Sequence, residues 1–381
     1  MKISVLTPDV SHNCLGRAYM LARILQRRFD VEIIGPMFGE GVWAPLADAR
    51  EVPLKTLRVR GSWTNAKAVA LRDQLEGDVL YASKPRFPSY GLGLIEKLAR
   101  RSSVVLDIDD WEGGFVRAAR SERMERRPLR ALLSDAVYNT TIALAEGLPR
   151  LADELTVSNT FLQKRFGGVL IWHGRDTEAF RPDRFSRSAV RAAHGIPDQE
   201  KVVMFLGSPG PHKGVEDLME AVRRIPDPSV SLALVGIPDG TGYGARLRAE
   251  GLSLLGPRFR GMGFLPFDKV PELLTLADVV VIPQRRTQAT EGQMPAKVFD
   301  AMAMGKPIIA SAVADLPYVL RDCGKVVEPG SVENLSTAIQ SFLSDPGAAA
   351  EFGRRARERC VQEFSWDALE PVLVGVFKAY A

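Results

Sequence analysis

Short apolar runs alternate with amphipathic helical patterns along this chain, and they do so in two rounds. "ISVLT" (3–7) has the pattern of a buried strand. The loop "PDVSHNCLG" and the helical pattern "RAYMLARILQRRF" follow, and then a second strand, "VEIIG" (31–35). "DVLYAS" (78–83) and "SVVLDI" (103–108) continue the series. The pattern restarts with "VVMFLG" (202–207), the helix "GVEDLMEAVRRI", and the strands "SLALVG" (231–236), "DVVVIP" (278–283) and "KPIIAS" (306–311). These strands are almost continuously apolar, which suits a parallel sheet covered on both faces. At 381 residues the chain exceeds what one core usually supports. The expected fold class is therefore α/β, with two doubly wound, Rossmann-like parallel-sheet domains facing a cleft. Ligands are expected at the carboxyl ends of the strands. Between the two rounds, "IWHGRDTEAFRPDRF" (171–185) is irregular and reads as the interdomain linker.

Composition excludes several classes. Fifty basic and 46 acidic residues leave a net charge of +4, too balanced for wrapping nucleic acid. Cys14, Cys323 and Cys360 are far apart and in no ligand spacing, which suits a reducing cytosol. The histidines are scattered, so no metal site assembles from local spacing. No apolar run is long enough to span a membrane, and "MKISVLTPD" is too soon broken for a signal peptide. A cytoplasmic location is expected.

Two loops carry the chemical signal. In "TEGQMPAKVFDAMAMGKPIIAS" (290–311), Glu291, Lys297 and Asp300 crowd one end, and a small, nearly uncharged helix and an apolar strand follow. Pro295 suits the first turn of a helix, predicted over about Ala296 to Met304, and Gly305 suits its stop. Free backbone N–H groups make such a start an anion site. The bland alternative is a βα loop found in any α/β protein. The second loop, "FLGSPGPHKGVEDL" (205–218), is rich in Gly and Pro and brings Lys213 to a helix start, a point charge suited to phosphate. It lacks the Gly-Lys-Ser/Thr ending of a Walker loop.

With these motifs in order, the chain resembles a GT-B-fold retaining glycosyltransferase of the family 4 type over nearly its full length. The family's G-R-x-x-x-x-K-G loop corresponds to "GSPGPHKG". Its carboxylate-pair segment corresponds to "EGQMPAKVFDAMAMGKPIIAS", and its linker to "VSNTFLQKRFGGVLIWHGRDTEAFRPD". The closing "EFSWDALEPVLVGVFKAY" resembles the family's C-terminal helix. The resemblance implies domains at 1–172 (acceptor side) and 186–362 (donor side), with 363–381 packing back on the first. It implies transfer from a nucleotide-diphosphate sugar, a co-substrate, with no cofactor and no metal. The acceptor is a small molecule, a glycan or a lipid-linked sugar.

Residue by residue, the resemblance implies that Lys213 neutralises the donor diphosphate and that Asp300 stands where a Glu holds ribose hydroxyls. Glu291, with the backbone of Gly292, Gln293 and Met294, meets the transferred sugar and phosphates, and Pro295 and Lys297 are donor-binding residues of the same segment. Phe264 and Leu265 lie in the base loop, and Gly16 lets the backbone approach the diphosphate. Ser208 replaces the family's Arg, and Arg285 or Arg286 offers a substitute charge. Asp109 and Asp110, in "VVLDIDDWEGG", fall where the family often has a His-Asp pair and are acceptor-side candidates; turn and capping duty is their alternative. His12 could serve an inverting transferase or an epimerase as general base. A non-catalytic nucleotide-sugar-binding protein is the remaining reading. His173, His194 and His212 are assigned no chemistry. The basic "RAARSERMERRPLR" (117–130) is read either as a solvated helix paired through Glu122 and Glu125, or as a lid meeting an anionic acceptor or a membrane surface.

Overall fold

Seven parallel strands form the first sheet: β1 (Lys2–Leu6), β2 (Asp30–Met37), β3 (Leu54–Arg58), β4 (Val79–Ser83), β5 (Ser103–Ile108), β6 (Glu154–Val157) and β7 (Val169–Leu170). They lie in the order β3-β2-β1-β4-β5-β6-β7. The computed structural model describes residues 1–60, 67–115, 117, 147–238, 240 and 242–381. Apart from Arg117, the basic run 117–130 lies outside the described residues.

Six parallel strands form the second sheet: β8 (Lys201–Leu206), β9 (Val230–Val235), β10 (Phe259–Met262), β11 (Val279–Ile282), β12 (Ile308–Ser311) and β13 (Lys325–Val327). Their order is β10-β9-β8-β11-β12-β13. Each sheet therefore reverses its winding once, between β1 and β4 and between β8 and β11. In an open parallel sheet, that reversal opens a crevice beyond the strand ends.

The chain divides into two units. The first comprises Met1–His173, Glu291–Met294 and Leu369–Ala381, and the second comprises Gly174–Thr290 and Pro295–Ala368. The segment "EGQMPAK" is thus split: Glu291–Met294 belongs with the first sheet and Pro295 onward with the second. The chain leaves the first unit after His173, near the start of the segment read as a linker.

Continuous apolar strands produce continuous burial. All six residues of β9 are buried, and Leu6, Leu80, Leu106 and Ile108 sit in the core of the first unit. In the second unit Val203, Leu232, Leu234, Val279, Val281 and Ile309 pack with Leu218, Met219 and Ile339 from the covering helices. Each fully buried aliphatic side chain stabilises by roughly 1.5–3 kcal/mol.

One polar group is set deep in the first core. Arg17, in the helix Cys14–Leu25, donates from Nε to Asp107 Oδ2 at 3.0 Å and from Nη2 to Asp107 Oδ1 at 2.8 Å. Its remaining donors reach the Trp172 and Ile171 carbonyls at 3.0 and 2.8 Å, and Thr156 Oγ1 completes Asp107 at 2.7 Å. Every donor and acceptor in this cluster has a partner, which is the condition for burying a charge pair. It ties Ile171 and Trp172, just before the chain first leaves this unit, to the end of β5.

Candidate functional site

Chemistry collects at the carboxyl ends of both sheets. In the first unit, Lys84 follows β4 directly, with φ at +68°. Its backbone is held there by three bonds: Lys84 N donates to the Asp107 carbonyl at 2.8 Å, and its own carbonyl accepts from Arg86 N at 2.8 Å and Ser89 Oγ at 2.9 Å. A non-glycine residue in the left-handed region costs energy and persists only where the surroundings over-determine it. The conformation turns the ammonium toward the residues after β5. Lys84 Nζ lies 2.7 Å from Asp109 Oδ1, 2.7 Å from Asp110 Oδ2 and 3.5 Å from Glu112 Oε1. Arg86 takes Glu112 through two bonds, Nε to Oε1 at 3.1 Å and Nη2 to Oε2 at 2.6 Å. Lys84, Asp109 and Glu112 are all buried.

Three carboxylates thus share two cations, and the balance of burial against these partners sets the two aspartates apart. Burial pushes Asp109 up to about 6 against the pull of Lys84. Burial also opposes the charge on Asp110, but the Lys84 ammonium and the Gln293 amide outweigh it and hold that carboxyl well below the usual range. Lys84 itself is held well above its ordinary value; burial lowers it, and the surrounding carboxylates more than compensate. One of the paired aspartates can therefore carry a proton under mildly acidic conditions while its neighbour stays ionised.

A pH prediction follows for Asp109. Between its ordinary value of 3.8 and about 6, the folded protein binds a proton on Asp109 that the unfolded chain has lost. Stability supplied by that proton is complete below 3.8 and is lost as pH rises to about 6. Urea unfolding from pH 4 to pH 7 should show wild type losing stability relative to Asp109→Asn through this window, with the difference constant above it. A difference that does not change with pH contradicts the assignment.

The Glu291–Met294 segment lies against these residues. Asp110 and Gln293 form an antiparallel bridge, and Gln293 Nε2 donates to Asp110 Oδ1 at 3.1 Å. Trp111 N donates to the Gly292 carbonyl at 3.1 Å, and Asn159 Nδ2 to the same oxygen at 3.3 Å. A Cβ on Gly292 would stand 2.3 Å from that of Trp111, so only glycine fits. Glu291 is exposed and Met294 buried. His12 lies in the loop after β1 and is exposed, and Gly16 lies in the helix Cys14–Leu25, where an added Cβ would meet the Trp43 ring at 3.2 Å.

In the second unit, the loop Gly207–Gly214 leaves β8 and leads into the helix Val215–Arg223. Gly214 has φ at +66°, and a Cβ there would lie 2.0 Å from the Pro283 carbonyl oxygen, a close approach that requires glycine. Lys213 ends a short 3-10 turn, Pro211–Lys213, and Ser208 is exposed. Arg285 is committed to Asp217, with Nε to Oδ2 at 2.8 Å and Nη2 to Oδ1 at 2.7 Å, and its backbone N donates to the His212 carbonyl at 3.0 Å. It clamps the loop from behind. Arg286 Nη2 donates to the Ala312 carbonyl at 2.9 Å. Phe264, 42% exposed, and Leu265 follow β10. The helix after Pro295 runs Lys297–Ala303, one residue shorter at each end than the pattern suggests, and Gly305 stops it with φ at +61°. Asp300 is fully buried and paired with Arg175.

Lys84, Arg86 and Arg175 were not singled out from the sequence. For Lys84 the available signal is a lysine set directly after an apolar strand and before a proline. Arg175 sits in the segment read as linker, where nothing local marks it.

Residues 186–359 match the family described as Glycosyl transferases group 1. The match covers a domain built on the second sheet. The loop Gly207–Gly214 and the segment Pro295–Ser311 both fall inside that domain. Among similar curated proteins, the D-inositol 3-phosphate glycosyltransferase of Mycobacterium avium is 31% identical over 213 residues, covering 54% of this chain and 47% of that protein. The protein of the same description from Rhodococcus jostii is 32% identical over 205 residues, covering 51% of this chain and 43% of its own. The chain thus spans about half the length of the curated relatives it matches. The sucrose-phosphate synthase of Thermosynechococcus elongatus has a similar structure, with a TM-score of 0.78 at 21% identity over all of this chain and 98% of that one. Anabaena Alr3699/HepE, solved in complex with UDP-glucose, gives 0.77 at 19% identity over the full length of both. The two parallel-sheet domains, of seven and six strands, have the GT-B fold of these glycosyltransferases.

Proposed function

We propose that this protein is a glycosyltransferase. It moves a sugar from a nucleotide-diphosphate sugar to an acceptor hydroxyl, with retention of anomeric configuration, in the manner of family 4, and without a metal. The observation that carries this reading is the glycine-constrained loop Gly207–Gly214 with Lys213 at its end. It lies where the second sheet reverses, within the residues matched to group 1. The backbone there permits close approach, and Lys213 supplies a fixed positive charge.

In the reaction, the bond from the anomeric carbon to the diphosphate oxygen breaks as a bond from the acceptor oxygen forms on the same face. Negative charge develops on the departing diphosphate, where Lys213 stabilises it; such preorganised electrostatics are usually the largest catalytic contribution. The acceptor proton passes to the leaving phosphate oxygen, so retention requires no strong protein base. Asp109, Asp110, Gln293 and Glu291 are assigned to the acceptor and the transferred sugar as hydroxyl partners. The loop at Phe264 and Leu265 is assigned to the nucleoside.

UDP-sugars are the first donors to try, because a neighbour of the same fold was solved with UDP-glucose. A phosphorylated cyclitol is the first acceptor, because the relatives are described as acting on D-inositol 3-phosphate. An inverting reading, with His12 as base, is favoured only by the exposed position of that residue beyond β1.

The experiment combines the full chain with UDP-, GDP-, ADP- and TDP-sugars and an acceptor panel, follows nucleotide release with and without EDTA, and reads the product anomer by NMR. The expected result is acceptor-dependent release, unchanged by EDTA, with the donor's anomeric configuration kept. Inversion that is lost in His12→Ala contradicts the retaining assignment. No helix among the described residues is long and apolar enough to cross a membrane.

A further inference from the structure

The diphosphate of a nucleotide sugar carries more than one negative charge, yet the loop Gly207–Gly214 contains one cationic side chain, Lys213. Neither arginine after β11 is poised to help: both donor edges of Arg285 used here are on Asp217, and Arg286 reaches a backbone carbonyl. A different cation borders the loop. The stem of Lys297 lies against Gly207, where an added Cβ would meet Lys297 Cε at 3.4 Å and Cγ at 3.6 Å. Its side chain is 32% exposed, and its ammonium stands 3.6 Å from Asp300 Oδ2.

Asp300 explains why the ammonium stays there. It is wholly buried, and Oδ2 makes no hydrogen bond. Its other oxygen accepts from Arg175 Nε. Arg175 is fixed in turn. Its Nη2 donates to the Ala296 carbonyl at 3.2 Å and Nη1 to the Gly174 carbonyl at 2.8 Å, and its guanidinium lies over the Phe267 ring. Its backbone bonds the returning chain twice, N to the Phe364 carbonyl at 3.0 Å and carbonyl to Trp366 N at 2.9 Å. A buried carboxylate with one oxygen unsatisfied attracts the nearest ammonium, because leaving a buried charge incompletely paired is costly. The distance of 3.6 Å is an ion pair rather than a hydrogen bond, so the donors of Lys297 remain available toward the loop.

We propose that Lys297 is a second cation for the donor diphosphate, aimed at the Gly207–Ser208 end of the loop by the buried Arg175–Asp300 pair. Arg175 is then a positioning residue that acts through Asp300. Asp300 serves chiefly as the counter-ion of Lys297, a role that replaces direct contact with the ribose. The inference rests on the donor-site reading above.

Its test is calorimetric titration of the full chain with UDP, GDP, ADP, TDP and CDP, using wild type, Lys213→Ala, Lys297→Ala, Lys297→Arg, Arg175→Gln and the Arg175→Gln/Lys297→Ala double variant. For the tightest nucleotide, Lys297→Ala should weaken Kd tenfold or more, while Lys297→Arg stays within a few-fold of wild type. Arg175→Gln should weaken Kd several-fold alone but less than twofold when Lys297 is already alanine. That vanishing effect is one that a merely structural residue does not produce. If Arg175→Gln does not fold, Asp300→Asn takes its place in both backgrounds. Binding by Lys297→Ala within twofold of wild type overturns the proposal, as does an undiminished Arg175 effect in the double variant. Wild type binding none of the five overturns the donor-site reading itself. Binding that Lys213→Ala loses and Lys297→Ala keeps overturns only this inference.

Discussion

Replacing Lys84 by methionine is expected to destabilise the protein by about 3–5 kcal/mol, the usual cost of stripping the partner from buried charges. Lys84 is only 5% exposed, and its ammonium is the shared counter-ion of Asp109 and Asp110. Methionine keeps the volume and removes the charge. Two neighbouring carboxylates are then left to repel each other, with Arg86 still occupied by Glu112. The loss is large against a typical stability of about 5–15 kcal/mol. Urea unfolding at pH 7 is the measurement, and the companion variant Lys84→Met/Asp110→Asn should recover part of the loss because one stranded charge has gone. A loss below about 1 kcal/mol, the scale of exposed ion pairs, contradicts the account.

Lys213→Ala is expected to act on rate rather than on folding. Lys213 is half-buried at the end of a 3-10 turn that has no buried residue, so its removal leaves the core packing in place. Its charge, however, meets negative charge that grows as the diphosphate departs. By comparison with removal of one preorganised oxyanion donor, kcat should fall by about 10²–10³, roughly 2.7–4 kcal/mol. Unfolding curves should overlay those of wild type. A fall in KM-dependent binding alone, with kcat unchanged, places Lys213 in ground-state binding only and removes it from the transition state.

Much of the fold is legible in the chain because its central strands are buried on both faces. "SVVLDI" coincides with β5, and "VVMFLG", "SLALVG" and "DVVVIP" each fall within a residue of β8, β9 and β11. Outer and short strands are not legible. β3 is half-buried and mixed in polarity, β7 has two residues, and β13 has three. Their pairing is decided by a neighbouring strand rather than by their own pattern. The loop at 207–214 announces itself through Gly and Pro, since those residues mark backbone that other residues cannot adopt. The Lys84 cluster does not, because it is assembled from two strands and a segment nearly two hundred residues further on. Asp109 and Asp110 are conspicuous in sequence, but the cation that sets their protonation is not. Likewise Asp300 stands out as half of a carboxylate pair, whereas its attachment to Arg175 depends on a residue in an otherwise featureless stretch.

The central claim is that the second unit binds the diphosphate of a nucleotide sugar through Lys213. Thermal shift of the full chain with UDP, GDP, ADP, TDP and CDP, run beside Lys213→Ala, tests it most directly, because a ligand that binds only the folded state raises the melting temperature by mass action. The account predicts that at least one of these nucleotides raises the midpoint of wild type in a concentration-dependent way and leaves that of Lys213→Ala nearly unmoved. An equal shift in both proteins, or none in wild type, contradicts it.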